Sequence, residues 1–488
     1  MKNLKNLLFV ALFLSVATLI GQTKISGTIV DDSNEGLPGA SVVVKGTTNG
    51  TETDFDGKFT LTVSSESGTI VVSYLGFTSR EFSFTGSGDI GSIKLREDGN
   101  ILEEVVLKGI VDIAKDRQTP VAKSTIKAAE IQSKLGNQEF PELLNNTPSV
   151  YATKSGGGFG DARINIRGFA QENIAVLING VPVNDMENGR VYWSNWAGLS
   201  DVTTAMQVQR GLGSSKLAIS SVGGTINIIT KTTDLKEGGS ISSSIGNDGY
   251  FKNLATYSTG KNEKGFAASF LFSRTAGNGY VDGTEFEGFN YFIGLGWDKG
   301  DHNFQFMLTG APQTHNQRTT SFFNMATIDD YLRYGKKYNY NHGYLNGEEF
   351  NWRKNFYHKP ISSFNWTWDV NENSSLTTSA YVSFGRGGGT GDRGNRIRRD
   401  DGLIDYAAII ARNTESLFIG YQEDERGYII RNSMNLHQWF GTVVNYETKI
   451  NDNLSLDLGF DARTYYGKHF RVVADLLGAY SWNERSNA

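Results

Sequence analysis

The run Asn184–Leu199, NDMENGRVYWSNWAGL, gathers Tyr192, Trp193 and Trp196 beside amide, carboxylate and guanidinium groups. Aromatic faces stack while neighbouring polar groups hydrogen-bond, so such a run could hold a sugar, a peptide or a chelate. Packing beneath surface loops is the competing reading. The other chemistry-bearing residue types do not assemble into a reaction centre. The absence of cysteine excludes thiolate nucleophiles, thiolate metal sites and disulfides. His302, His315, His342, His358, His437 and His469 are scattered without ligand-like spacing, and there is no HExxH, so no metal site is expected. Asp54 and Asp56 in DFDGKF lack the further ligands and distal Glu of a calcium loop and read as turn residues. Gly156–Gly160 (GGGFG) lacks the Lys-Ser/Thr that would make it a phosphate cradle and reads as a loop. The basic run Arg393–Arg399 reads as a solvated loop, with an anionic ligand as the alternative. A net charge of −5 argues against a nucleic-acid partner. Neither a catalytic residue nor a cofactor is expected.

The elements that would position these residues are mostly β. Residues 1–22 have the layout of a secretory leader. Lys2 and Lys5 precede the apolar Leu7–Ile20, which is too short to span a membrane. Residues 23–97 carry short β runs at turn-sized spacing, and Phe59, Leu61 and Val63 alternate. A β-sandwich of about seven strands is expected. Residues 98–118 form a linker, whose ILEEVVLKG is either an extended interdomain segment or one more strand.

Residues 119–231 mix helix and strand. STIKAAEIQSKLG predicts a helix with a Ser/Thr cap, an Ile126/Ile131/Leu135 face and Gly136 as its stop, and FPELLNNTPSVY predicts a second helical turn leading into a strand. In RINIRGF, Ile164 and Ile166 face one side while Arg163, Asn165 and Arg167 face the other. Ile174–Ile178 is apolar on both faces, as a central strand is.

Residues 232–488 change to strand pairs. Phe266, Ala268, Phe270 and Phe272 alternate with Ala267, Ser269, Leu271 and Ser273, and Leu454–Asp461 behaves alike. Such dyad segments, joined by short turns at DKGDHN, NENSS and NDN, are the signature of a transmembrane antiparallel barrel. Two connections, Ala311–Phe356 and Gly385–Asn435, are far longer and would be extracellular loops.

Several motifs carry a family resemblance. LPGASVVVKGT, TDFDGKFTL and VVSYLGF resemble the carboxypeptidase-regulatory-like, transthyretin-like domain that precedes many Bacteroidetes receptors. RINIRGF, NGVPV and VQRGLGSSKLAISSVGGTINIITK resemble the plug of TonB-dependent outer-membrane receptors. The matching residues are Arg163, Arg167, Gly168, Phe169, Arg210, Gly211, Gly223, Gly224 and Asn227; Leu212 stands where the family has Pro. The resemblance implies a Ton box at Glu104, Val105, Val106, Leu107 and Lys108. It implies an outer-membrane location with that segment in the periplasm, and no enzymatic activity. It implies that Arg163 and Arg167 pair with carboxylates of the barrel wall, and that Tyr192, Trp193 and Trp196 lie toward the substrate. The implied partners are TonB, outer-membrane lipid and a scarce solute (siderophore, vitamin, oligosaccharide or peptide). A surface lipoprotein lid of the SusC-like kind is a further option. A signalling receptor, or a secreted glycan-binding or adhesion protein, are the rival readings. About 250 residues would supply roughly nine or ten strands, too few to enclose a plug, so the chain is expected to be the N-terminal part of a receptor with a barrel of about 22 strands.

Overall fold

The structure, a computed structural model, describes residues 23–96 and 122–484 apart from 33, 48, 75–76, 137, 155–158, 161, 212–220, 319–325, 416–418, 421–426 and 452. The expected leader, the linker and the segment Glu104–Lys108 lie outside the described residues. The chain divides into two units, Met1–Val106 and Leu107–Ala488.

The first unit is a β-sandwich. One sheet orders Lys58–Val63, Thr23–Val30 and Gly88–Lys94; the other orders Gly50–Glu52, Ser41–Val44, Ser67–Ser73 and Arg80–Thr85. Their inward residues, among them Ile25, Ile29, Val42, Phe59, Leu61, Ile70, Val72 and Ile93, form one apolar core. The Asp54 carboxylate accepts from the backbone N–H of Asp56 at 3.0 Å and of Lys58 at 2.8 Å, which closes the turn between strands. Gly57 sits at φ +76° with Ile29 O only 2.4 Å from where a Cβ would be, so the turn requires glycine.

In the second unit, a five-stranded sheet orders Val181–Pro182, Ile174–Ile178, Gly224–Ile229, Ala205–Arg210 and Ala122–Lys127. Ile174–Ile178 and Gly224–Ile229 run parallel and are buried throughout, because both faces of this sheet are covered. The helix begins at Ala128, later than the sequence suggested. Ser124 and Thr125 are strand residues instead of caps, because Ala122–Lys127 completes its backbone hydrogen bonds against Ala205–Arg210. Ile131 and Leu135 still face the core, and Gly136 closes the helix at φ +47°.

A long antiparallel wall flanks this plug. Among the described residues it consists of nine long strands in meander order: Glu237–Ile245, Phe251–Thr259, Phe266–Gly277, Phe286–Lys299, His302–Gly310, Ile361–Asn371, Ser374–Gly394, Tyr428–Asn451 and Leu454–Asp475. Above Gly310 and below His358 the ladder continues as Gln313–Asn316 paired with Lys354–His358. The interruptions fall at Pro312 and Pro360, which donate no backbone hydrogen bond. Most of the short turns lie at one end of the wall and the long connections at the other.

The wall is inside-out relative to a water-soluble sheet. Phe270, Phe272, Leu295, Phe364, Phe440, Leu458 and Phe460 are exposed, while Ser269, Ser273, Asn290, Ser363, Thr377, Ser379 and Asn445 are buried. The apolar set points away from the plug and the polar set toward it, as a hydrocarbon surround selects. At the short-turn end, Phe266, Trp297, Phe304 and Trp366 lie opposite one another across four strands, their rings 5.0 to 6.2 Å apart. This row is an aromatic girdle. No helix among the described residues is long and apolar enough to cross a membrane.

The long connections are folded. Trp352, Ile404, Tyr406, Ile409, Tyr428, Ile430 and Leu477 make a separate small core. The run expected to be a solvated loop is partly built into it. Arg396 pairs with Asp392 and lies over Tyr340 and Trp352, and Arg398 stacks 3.6 Å above the Tyr340 ring. Planar guanidinium groups pack on aromatic faces, which solvates these cations with protein.

Candidate functional site at the seam between plug and wall

The plug motif is turn chemistry. Arg167 and Gly168 have φ of +52° and +82° between the paired Ile166 and Phe169; Asn179 and Gly180 have +50° and +80° between Ile178 and Val181. Positive φ at both central residues is the hairpin turn that matches strand twist. The second turn is clamped from the end of the central strand. Asn179 Oδ1 accepts from Thr230 N–H at 2.8 Å, and its Nδ2 donates to Thr230 Oγ1 at 2.9 Å. Asn227, fully buried, accepts from Gly180 N–H at 3.4 Å. Gly224 combines φ +147° with Gln209 O 2.3 Å from a would-be Cβ, and a Cβ on Gly223 would lie 2.8 Å from Phe169 Cβ. Gly211 donates to Gly223 O at 2.9 Å, and the Arg167 guanidinium lies over it. Arg210 donates to Pro148 O at 3.1 Å.

Arg163 and Arg167 are exposed, and among the described residues neither pairs with a wall carboxylate. The charges across the seam run the other way, from plug carboxylates to wall bases. Lys252 donates to both oxygens of Asp201, at 2.7 and 2.9 Å, with little of either side chain in water. Burial pushes the Asp201 carboxyl up, and Lys252 opposes that shift. At the short-turn end Thr232 Oγ1 meets Ser269 Oγ at 3.0 Å, and Gln305 donates to Thr233 Oγ1 at 2.8 Å.

A second contact is built by the loop after Val183. Asn184 ties it to the central strand through Val176 N–H and Ile174 O. Asp185 accepts from Glu187 N–H at 3.0 Å and Asn188 N–H at 3.2 Å. Glu187 is thereby presented to the wall, where Tyr465 OH donates to it at 2.9 Å and His469 Nε2 lies 2.6 Å away. Burial alone would raise the Glu187 carboxyl, but the hydrogen bonds from His469 and Tyr465 prevail and hold it below its ordinary value. His437 packs edge-on to Tyr465 and His469.

His437 and His469 stand thirty-two positions apart in the sequence, yet the fold brings them together. The hairpin at residues 451–454 pairs His437 with Gly467 and His469 with Asn435. The two rings are therefore diagonal neighbours on one face. That register was the available signal.

The aromatic run separates into different environments. Tyr192 is about half exposed and accepts from Asn188 Nδ2 at 3.1 Å. Trp196 is a core residue. Trp193 packs against Phe140 at 5.8 Å and lines a cavity of about 260 Å³ toward the long-loop end. Glu139, Lys154, Tyr250, Lys252 and Tyr280 also line it. Burial, with Asp201 and Glu139 nearby, pushes the Tyr250 hydroxyl up to about 12, which keeps it a donor at neutral pH.

A plug sheet seated against a polar-lined, apolar-backed wall is the arrangement of part of a plugged transmembrane β-barrel. Comparison with known proteins agrees. Residues 25–107 match the CarboxypepD_reg-like domain, and residues 115–225 match the TonB-dependent Receptor Plug Domain. TonB-dependent receptor SusC of Bacteroides thetaiotaomicron is 29% identical over 231 residues, 46% of this chain and 22% of that protein. TonB-dependent receptor P39 of Formosa agariphila is 30% identical over 178 residues, 36% of this chain and 17% of that protein. In fold, the chain is similar to the unliganded ferric citrate transporter FecA, with a TM-score of 0.52 at 16% identity over 73% of this chain and 49% of that one. The chain thus spans about a fifth of the length of these curated relatives. Its two matched domains are thus similar to those of TonB-dependent receptors, a family of receptors and transporters in outer-membrane barrels, not of enzymes. Its domain order and relatives fit the SusC-like type.

Proposed function

We propose that this chain takes part in TonB-dependent import of a scarce solute across the outer membrane. The observation that carries the reading is the seam. A plug whose wall-facing contacts include a small set of hydrogen bonds and ion pairs sits against a lining rich in serine, threonine, asparagine and glycine, with a few apolar wall residues such as Phe292, Met307 and Trp439 sharing its core. Force can exchange such contacts for water at modest cost, since polar groups are satisfied on either side. In this reading the domains are a leader (1–22), the sandwich (23–97), a linker with the Ton box Glu104–Lys108 (98–118), the plug (119–231) and barrel wall (232–488). The solute, a siderophore, vitamin, oligosaccharide or peptide, binds at the long-loop end near Tyr192 and the Trp193 cavity. An extended Ton box adds as a strand to TonB in the periplasm. TonB then transmits the proton-motive force and the plug rearranges; a surface lipoprotein closes the outer side. The experiment is deletion of Glu104–Lys108 in the producing cell. Uptake is expected to stop while solute binding persists, and undiminished uptake rejects the proposal.

A further inference from the structure

We propose that Glu187, His437 and His469 form a binding site for one divalent first-row transition-metal cation of the zinc class, bridging the plug loop to the wall. The site does not depend on the identity of any imported solute. Three independent features point to it.

The first is the donor set. One carboxylate oxygen and two imidazole nitrogens from three separated chain positions lie within 4.8 Å of one another. Two imidazoles and a carboxylate suit a borderline cation better than a hard one, and a fourth position remains for water. Shifts of roughly an ångström in the side chains bring donors about 2.0–2.2 Å from a shared centre.

The second is the hydrogen-bonding state of the two rings. His437 is buried, and neither ring nitrogen has a hydrogen-bond partner. A buried polar group without a partner is costly, and a cation would satisfy it. Its Nδ1 lies 3.8 Å from Asp185 Oδ2, so a ligating Nε2 would have a carboxylate behind it. His469 Nδ1 is 2.7 Å from Asn435 Oδ1, which can only accept. With that proton committed, the 2.6 Å approach of Nε2 to Glu187 needs either a second proton or a cation between two lone pairs. His469 thus carries the outer hydrogen-bonding partner typical of metal-bound histidine, and the Asp185 carboxylate stands within reach of the same role for His437.

The third is the space. A Cβ on Gly467 would stand 2.6 Å from Glu187 Oε1, 3.0 Å from Tyr465 OH and 3.1 Å from His469 Nε2. The strand carries glycine where any side chain would fill the cluster. Lys359, buried on the wall, feels both Asp185 and Glu187. Two carboxylates against one ammonium leave net negative charge to receive a cation.

The test uses the full chain, detergent-solubilised and stripped with a chelator, titrated with Zn(II) by calorimetry and with Co(II) by visible absorption. One cation per chain is expected, with the intense d–d bands of a four-coordinate Co(II) site. Glu187→Gln, at a half-exposed position, and Gly467→Ala should each remove the endpoint while the β-sheet circular dichroism is unchanged. His437→Asn should do the same. If that buried substitution prevents folding, Glu187→Gln and Gly467→Ala decide alone. No stoichiometric binding by the parent chain, or the parent's affinity retained in both of those variants, overturns the site and makes Glu187–His469 a plain ion pair.

Discussion

Asp201 of the plug and Lys252 of the wall are joined by two charge-assisted hydrogen bonds of 2.7 and 2.9 Å, nearly out of contact with water. A pair in this setting matters mainly through what is left when one member goes.

Lys252→Met should therefore destabilise the plugged unit by about 3 kcal/mol, because it strands a buried carboxylate. Adding Asp201→Asn should recover most of that loss. Denaturant titration in detergent, followed by the β-sheet signal, reads both. Equal stability of Lys252→Met and the parent would show that the pair is water-filled.

Gly168→Ala and Gly224→Ala should differ sharply. Gly168 has φ +82° with open space around a Cβ, so alanine costs only the backbone penalty, about 1 kcal/mol. Gly224 adds a collision with Gln209 O at 2.3 Å, so the central strand must shift and the loss is several-fold larger. Denaturation midpoints of the two variants rank them.

The Glu187 contact should depend on pH with a definite sign. Its folded value is lowered from about 4.5. Its stabilisation is therefore complete above that value and is lost as pH falls through the folded one. The stability difference between the parent and Glu187→Gln should shrink as pH falls below about 4.5. A difference that grows over that lower range would contradict the assignment.

Phe272→Arg should cripple membrane insertion without touching the plug. The side chain is exposed on the apolar outer face of the wall. A cation there costs about 2–4 kcal/mol at mid-bilayer depth. Folding yield into lipid vesicles is expected to drop against Phe272→Leu.

What the sequence revealed followed physical range. The alternation at Phe266–Ser273 was legible because period two is local, and the observed wall assigns its aromatics outward and its serines inward. RGF and NGVPV were legible because a turn with two positive φ values restricts residue type. The start of the helix near Ala128 was misplaced because Ser124 and Thr125 answer to Ala205–Arg210, eighty residues downstream. Trp193 and Trp196 could not be told from Tyr192 by composition; burial separates them. Arg396 and Arg398 looked solvated because Tyr340 and Trp352 lie about fifty residues upstream. The histidines were missed for want of a register, and the contacts that Glu187 and Asp201 make with the wall are long-range pairings that no local pattern announces.

The glycines of the inner wall invert a common expectation about which positions can drift. A methyl on Gly294 would overlap Thr232 Oγ1 at 2.1 Å, and one on Gly296 would overlap Thr233 Cγ2 at 2.5 Å. The polar lining has no slack, whereas Phe270 or Leu295 can exchange for another apolar residue with little consequence. In a library of random variants, the intolerant positions of the wall should include small and hydrophilic ones of its inner face, and the permissive positions should be the large hydrophobic ones of its outer face.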